Sequence, residues 1–385
     1  MNLLERFEDQ LNHLKAEGNL RQFKSNQQFG KYIQIEQQKM LNLSSNDYLG
    51  LASDLELRAK FFDEVPNDLR LMSTSSSRLL TGNFPQYELL EYSLSQAFIG
   101  RSALLFNSGY HMNIGILPAI SDAKTLILAD KLVHASIIDG IRLSNAKYVR
   151  YRHNDLQHLL MLLNKYHDDA SFEKIIVVTE SIFSMDGDET NLMELVEIKK
   201  QFNKVMLYVD EAHAIGMRGE TGLGCSEQYG VIHEIDFLVG TFGKAIASIG
   251  GYLICHSIIR EYLVNAMRPL IFSTAQPPIN MAWTHFVFEH MQKMSEQRKK
   301  FALQCEKFRK MILNKNYECP SSSHIVPVII GDSENTVETS RRLQQAGFYI
   351  MPVRPPTVPQ HSSRLRISLN ALLTDDELMV LVDSL

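Results

Sequence analysis

Cysteine is scarce in this chain. Four residues in 385, at positions 225, 255, 305 and 319, leave no Cys-x-x-Cys pair. That spacing excludes a cysteine-held zinc site and offers no disulfide framework, and scattered free thiols fit a reducing compartment. An excess of positive charge is also missing. Lysine and arginine total 39 against 44 acidic residues, a formal net charge of −5, which argues against a general nucleic-acid binder or a protein held on anionic membranes. No apolar run approaches the roughly 20 residues that span a bilayer. Leu3, Leu4, Phe7, Leu11 and Leu14 have helical spacing, but Glu5, Glu8 and Asp9 between them are too acidic for a transit peptide, and there is no signal-peptide core. The expectation is a soluble, cytoplasmic protein without nucleic-acid or membrane partners.

What is present is a series of continuous apolar segments. Ser102–Phe106, Thr125–Ala129, Tyr148–Tyr151, Lys174–Thr179, Val205–Val209, Phe237–Val239 and Tyr252–Cys255 alternate with helical stretches. Strands that are apolar on both sides belong to a mainly parallel sheet covered by helices on both faces. An α/β fold with a seven-stranded sheet follows, with its site beyond the carboxyl ends of the strands. At 385 residues the chain exceeds one typical core. The expected division is an N-terminal arm over 1–45, a large domain over 46–270 and a smaller α+β domain over 271–385. That last part has long helices over 279–315, strands at Ile325–Ile330, Phe348–Met351 and Arg364–Leu369, and a final helix from about Thr374.

Two of these strands end in chemistry. One runs into Asp210-Glu-Ala-His213, the next into Gly240-Thr-Phe-Gly-Lys244. A phosphate-binding P-loop needs Gly where Leu238 stands and Ser or Thr where Ala245 stands, so Gly243-Lys244 is not one. Asp-Glu-Ala-His also spells a helicase box, but that reading needs the missing P-loop and a basic surface. A metal held by Asp210 and His213 lacks a third ligand at sensible spacing, and no metal is expected. An exposed lysine is ordinarily a solvated charge, and an aspartate at a strand end ordinarily caps a turn. An acid, an imidazole and a lysine beyond adjacent strands have a sharper use: the lysine holds an aldehyde as a Schiff base and the aspartate keeps a pyridine nitrogen protonated. Together they point to pyridoxal 5'-phosphate (PLP).

With Asn42-Leu-Ser-Ser-Asn-Asp-Tyr-Leu-Gly50 and Thr179-Glu-Ser-Ile-Phe-Ser-Met-Asp-Gly-Asp188 added in order, nearly the whole chain resembles the α-oxoamine synthases. These are fold-type I PLP enzymes that join an amino acid to an acyl thioester with loss of CO2. The resemblance implies that Lys244 is the Schiff-base lysine and base at Cα, Asp210 the partner of the ring nitrogen, His213 a donor to the ring oxygen, and His134 the imidazole stacked on the ring. It places Ser184 at the ring's hydroxyl edge and Ser108, Gly109, Tyr110 and Thr241 at the phosphate. Thr274 would reach the phosphate of a neighbouring subunit in a homodimer. On the substrate side it implies Arg366 for the carboxylate, helped by Asn46, with Glu180 near the thioester and Arg21 and Thr357 alongside. Arg364 remains an alternative to Arg366, since both point the same way on a strand.

The string Val353-Arg-Pro-Pro-Thr-Val-Pro359 resembles the members that condense L-alanine with a pimeloyl thioester, carried by coenzyme A or an acyl carrier protein; Tyr151-Arg-His-Asn-Asp155 agrees. The chain departs from the family at Ser73-Thr-Ser-Ser-Ser-Arg78, usually glycine-rich, and at Tyr87, usually histidine. Those departures are expected to bear on acyl-chain preference.

Overall fold

The seven apolar segments form one sheet: β1 (Ser102–Phe106), β2 (Thr125–Asp130), β3 (Lys147–Tyr151), β4 (Lys174–Glu180), β5 (Val205–Asp210), β6 (Phe237–Thr241) and β7 (Gly251–Cys255). The computed structural model describes residues 3–16 and 19–385; positions 1, 2, 17 and 18 of the expected arm lie outside the described residues. The strand order is β1-β7-β6-β5-β4-β2-β3. β7 runs antiparallel to β1 and β6, and the other pairings are parallel.

Burial on both faces explains the missing polar alternation. Leu126, Leu128, Ile175, Val177, Leu207 and Val209 face one core, which includes Leu159, Leu163 and Leu195. Their neighbours Ile127, Ile176, Val178 and Tyr208 face a second core. That second core is closed by α1 (Gly109–Ala119) and α2 (Ala135–Leu143) through Ile116, Ile137 and Ile141. Edge strand β3 is mostly exposed and carries Lys147 and Arg150, which suits an edge that must not pair with another chain. The two helices touch at Gly140, where a Cβ would lie 2.3 Å from the Asn113 carbonyl oxygen. Only glycine permits that approach.

In the C-terminal part, β8 (Ile325–Gly331), β9 (Pro352–Val353) and β10 (Ser363–Ser368) make an antiparallel sheet of order β8-β10-β9. The strand expected over Phe348–Met351 is shorter. Phe348–Tyr349 pairs in parallel with Gln38–Asn42, the last strand of an N-terminal hairpin. The chain then changes sheets, with the Met351 amide donating to Ser44 Oγ at 2.8 Å. The arm is thus built into the C-terminal part. Helix Leu3–Ala16 forms as its periodicity requires but has no buried residue. Helix Pro278–Gln292 packs on the loop beyond Lys244: Trp283 Nε1 donates to the Ala247 carbonyl at 3.0 Å, and Thr284 and Ser248 hydroxyls meet at 2.6 Å. No described helix is long and apolar enough to cross a membrane.

Candidate active site

β2, β4, β5 and β6 end in Asp130, Glu180, Asp210 and Thr241, so the parallel sheet delivers polar groups to one edge. Beyond that edge lies a cavity of about 160 Å³, with Lys244, His213, Asp210, Glu180, His134 and Thr241 among its walls. Lys244 Nζ lies 2.9 Å from His213 Nε2, and His213 Nδ1 lies 2.7 Å from the Tyr48 hydroxyl. Enclosure draws the Lys244 amine down to about 8, against the opposing pull of Asp210 and Glu180. Burial, reinforced by the charges of Lys244 and Arg366, holds His213 well below the ordinary imidazole value. A neutral His213 carries one N–H. With Lys244 donating to Nε2, that proton sits on Nδ1 and points at Tyr48, whose own proton goes to Asn46 Oδ1 at 2.9 Å.

Asp210 is buried and held from two sides. Asn113 Nδ2 donates to Oδ2 at 3.1 Å and the Ala212 amide to Oδ1 at 2.9 Å. Asn113 is fixed in turn by the Tyr208 hydroxyl at 2.5 Å, and its amide group reaches Ser136 Oγ at 3.0 Å. His134 Nδ1 accepts the Ser136 amide at 3.2 Å and faces the Ser136 hydroxyl at 2.8 Å. The neutral ring therefore keeps its proton on Nε2, and burial favours the neutral ring. Glu180 accepts the His134 amide at 2.5 Å. Its own burial, and the nearby charge of Asp210, raise it well above the usual carboxylate range.

The opposite end of the cavity is ready for an anion. Ser108 caps α1: its Oγ accepts the His111 amide and its carbonyl the Met112 amide, each at 3.0 Å. The amides of Gly109 and Tyr110 then have no partner inside the helix, and both residues line the cavity. Such a helix start attracts phosphate. Thr241 Oγ1 is held there by the Gly250 carbonyl at 2.8 Å and the Gly243 amide at 3.2 Å. A Cβ on Gly251 would lie 3.1 Å from both the amide nitrogen and Cα of Gly109, so a side chain there would press the Gly109 backbone outward by a few tenths of an ångström.

Arg366 on β10 lies one hydrogen bond from this chain. It donates to the Ser184 carbonyl at 2.5 Å, Ser368 Oγ at 2.6 Å, Asn46 Oδ1 at 3.3 Å and the Tyr48 hydroxyl at 3.4 Å. Arg364, two residues earlier on the same face, is buried and paired with Asp186, which leaves Arg366 as the arginine joined to His213 through Tyr48, although Arg366, Asn46 and Tyr48 do not themselves line the cavity. Ser184 touches Arg366 through its backbone and is not among the cavity's lining residues. Arg21 and Thr357 meet at 3.5 Å in a separate open pocket of about 1200 Å³, with Leu11, Leu14 and Pro355. Thr274 is also outside the cavity. Its carbonyl accepts from Asn107 Nδ2 at 2.8 Å, and it bridges to Ser77. The two departures from the family pattern lie beside it. Tyr87 is buried and its hydroxyl accepts the Gln276 amide at 2.7 Å, while Thr74 donates to the Ala275 carbonyl at 2.9 Å. They brace the Thr274 segment rather than line the cavity.

Sequence reasoning assigned no role to Tyr48, Asn113 or Ser136. Asn113 left one signal, a polar residue among Met112, Ile114, Ile116 and Leu117 on a helix whose other residues are mostly apolar.

An amine that loses its proton near neutrality, a buried carboxylate and an anion-ready helix start, all in one cavity, match the aldehyde, ring nitrogen and phosphate of PLP. The chain belongs to the family of class I and II aminotransferases, whose model matches residues 38–385. Within that family it is an α-oxoamine synthase, and its cofactor is PLP. A protein of Pasteurella multocida named "Putative 8-amino-7-oxononanoate synthase" is 56% identical over 366 residues, covering 95% of this chain and 94% of that protein. Among solved structures, a lysine-to-alanine variant of a serine palmitoyltransferase from S. paucimobilis, with a bound PLP–myriocin aldimine, superposes with a TM-score of 0.89 at 26% identity, covering 100% and 97% of the two chains. An 8-amino-7-oxononanoate synthase from Francisella tularensis superposes at 0.73 with 25% identity, covering 90% and 96%.

Proposed function

We propose that this enzyme condenses L-alanine with a pimeloyl thioester of coenzyme A or an acyl carrier protein. The products are 8-amino-7-oxononanoate, CO2 and the free thiol, a step of biotin synthesis. The observation that carries this reading is the hydrogen-bonded chain Lys244–His213–Tyr48–Arg366, which joins the amine in the cavity to a cation behind its wall. The relatives' names support the choice of substrates.

In this reading Arg366 takes the carboxylate of alanine, with Asn46 at its side; a planar guanidinium suits that task. Lys244, neutral for about half the molecules near pH 8, removes the Cα proton. PLP, when bound, supplies a ring that withdraws the electrons left at Cα. With PLP bound, Asp210 would hold the ring nitrogen protonated, His134 would stack on the ring, and Ser108, Gly109, Tyr110 and Thr241 would hold the phosphate. His213 would donate to the ring oxygen through Nε2 once Lys244 has left it and Tyr48 donates to Nδ1, with Ser184 assigned to the same hydroxyl edge from outside the cavity. A carbon–carbon bond forms between Cα and the acyl carbonyl as the carbon–sulfur bond breaks and the thiolate leaves, taking its proton from water. The bond to the carboxylate then breaks as CO2, and Lys244 returns the proton to Cα. Glu180, whose burial and nearness to Asp210 favour its protonated form, is assigned to the thioester. Arg21 and Thr357 hold the far end of the acyl chain. The enzyme works as a homodimer, with Thr274 of each copy reaching the phosphate in the other.

The test is a substrate matrix: alanine, glycine and serine, each against pimeloyl and palmitoyl thioesters, with CO2 and thiol release measured. Turnover confined to alanine with the pimeloyl thioester is expected. Turnover of serine with the palmitoyl thioester instead would assign the chain to a sister reaction.

A further inference from the structure

Two loops carry the groups that surround the cavity at a distance. One runs from Asp130 to His134. The other, 182–189, braces Arg366 through the Ser184 carbonyl and Arg364 through Asp186. Between the two loops sits His153, on the turn after edge strand β3. Its Nδ1 is 2.9 Å from Asp130 Oδ1, and its Nε2 is 2.8 Å from Asp188 Oδ2. Asp130 is fully buried; it also accepts the Leu132 amide at 2.7 Å and the Asn154 amide at 2.8 Å, which fixes the turn into His134. Asn154 Nδ2 donates to Asp188 as well. The edge of the imidazole ring is held against Phe183, with centroids 4.5 Å apart and planes at 89°.

Both ring nitrogens face carboxylate oxygens. A neutral imidazole would turn a lone pair against one of them, so both nitrogens must donate and the ring is a cation. Burial opposes that charge, but the hydrogen bonds and charges of Asp130 and Asp188 outweigh it and hold His153 protonated up to about 10.

We propose that His153 is a positioning residue for the condensation. It is a charged bridge that locks the His134 turn to the loop bracing Arg366, and so sets where the amino-acid carboxylate docks. This rests on the carboxylate role given to Arg366. His153 itself touches neither cofactor nor substrate in this arrangement.

The holoenzyme tests it through His153→Gln, which removes the charge and one of the two donors. The comparison variants are Arg366→Lys and Leu159→Ala, the latter a cavity in the core that removes no hydrogen bond of His153, Asp130 or Asp188. For His153→Gln the expected result is a KM for alanine raised about tenfold, with kcat changed less than about threefold and the cofactor absorbance and the KM for thioester kept. Leu159→Ala should lower the melting temperature and leave the KM for alanine unchanged. The inference is overturned if Arg366→Lys raises the KM for alanine while His153→Gln leaves it within about twofold of the parent, or if Leu159→Ala raises it equally. An unchanged KM in Arg366→Lys overturns the carboxylate assignment first and the positioning role with it.

Discussion

In the proposed reaction Lys244 acts through an amine that gives up its proton easily. With an ordinary lysine value well under one molecule in a hundred would be neutral at pH 8, whereas a value of about 8 makes it about half. Lys244→Ala should therefore lose both turnover and the visible absorbance of bound cofactor, while circular dichroism and melting temperature stay near the parent. Full activity in that variant would sink the assignment. His153 carries a second residue-level prediction. Its value in the fold, about 10, lies above the ordinary imidazole value near 6.5. Its contribution to stability is thus complete below about 6.5 and is lost as pH rises through about 10. The groups around it are Asp130, Asp188 and Asp186, the last paired with Arg364. The melting-temperature gap between the parent and His153→Gln should be widest near pH 6 and narrow towards pH 10; a gap independent of pH would refute it. Lys244 and Asp210 were legible in the sequence because strand ends announce them. Tyr48 and Asn113 were not, because each matters through a partner 165 or 97 positions away, and a sequence shows no distances.

Among the elements, the contact between α1 and α2 sets two side chains of the site. Asn113 on α1 holds Asp210, and Ser136 on α2 holds His134. Gly140→Ala would push a methyl group against the Asn113 backbone and drive the two helices apart. The expected cost is about 1–3 kcal/mol, read as a lower melting temperature, together with weaker PLP binding in a titration of the apoprotein. Unchanged cofactor affinity would show that the helix pair does not set the site. The seven strands were legible because residues such as the six of β2 are buried on both faces. The short strand Phe348–Tyr349 was not read at its true length, because its end is fixed by where Ser44 takes the Met351 amide, a contact across 307 positions.

On the scale of the whole molecule, the Thr274 segment borders exposed apolar side chains. Leu80 is 80% exposed and Phe272 71%, which is large for such residues on a free surface. In the proposed dimer they are covered. Phe272→Asp should convert the dimer to 44.0 kDa monomers in sedimentation and reduce activity at least tenfold; a parent chain that sediments as a monomer would remove the shared site. The pairing of the two ends of the chain is a feature that no local pattern announces. Strand Gln38–Asn42 finds its parallel partner only at Phe348–Tyr349. On a ribosome working at about 5–20 residues per second, the first strand leaves the tunnel roughly 15–60 seconds before the second is made. Throughout that interval the large sheet can close while the early hairpin waits with an open edge. Arg366, proposed to take the amino-acid carboxylate, is delivered later still, after every residue that lines the cavity. Every wall of the cavity is therefore synthesised before Trp283 and Thr284, which hold the loop beyond Lys244.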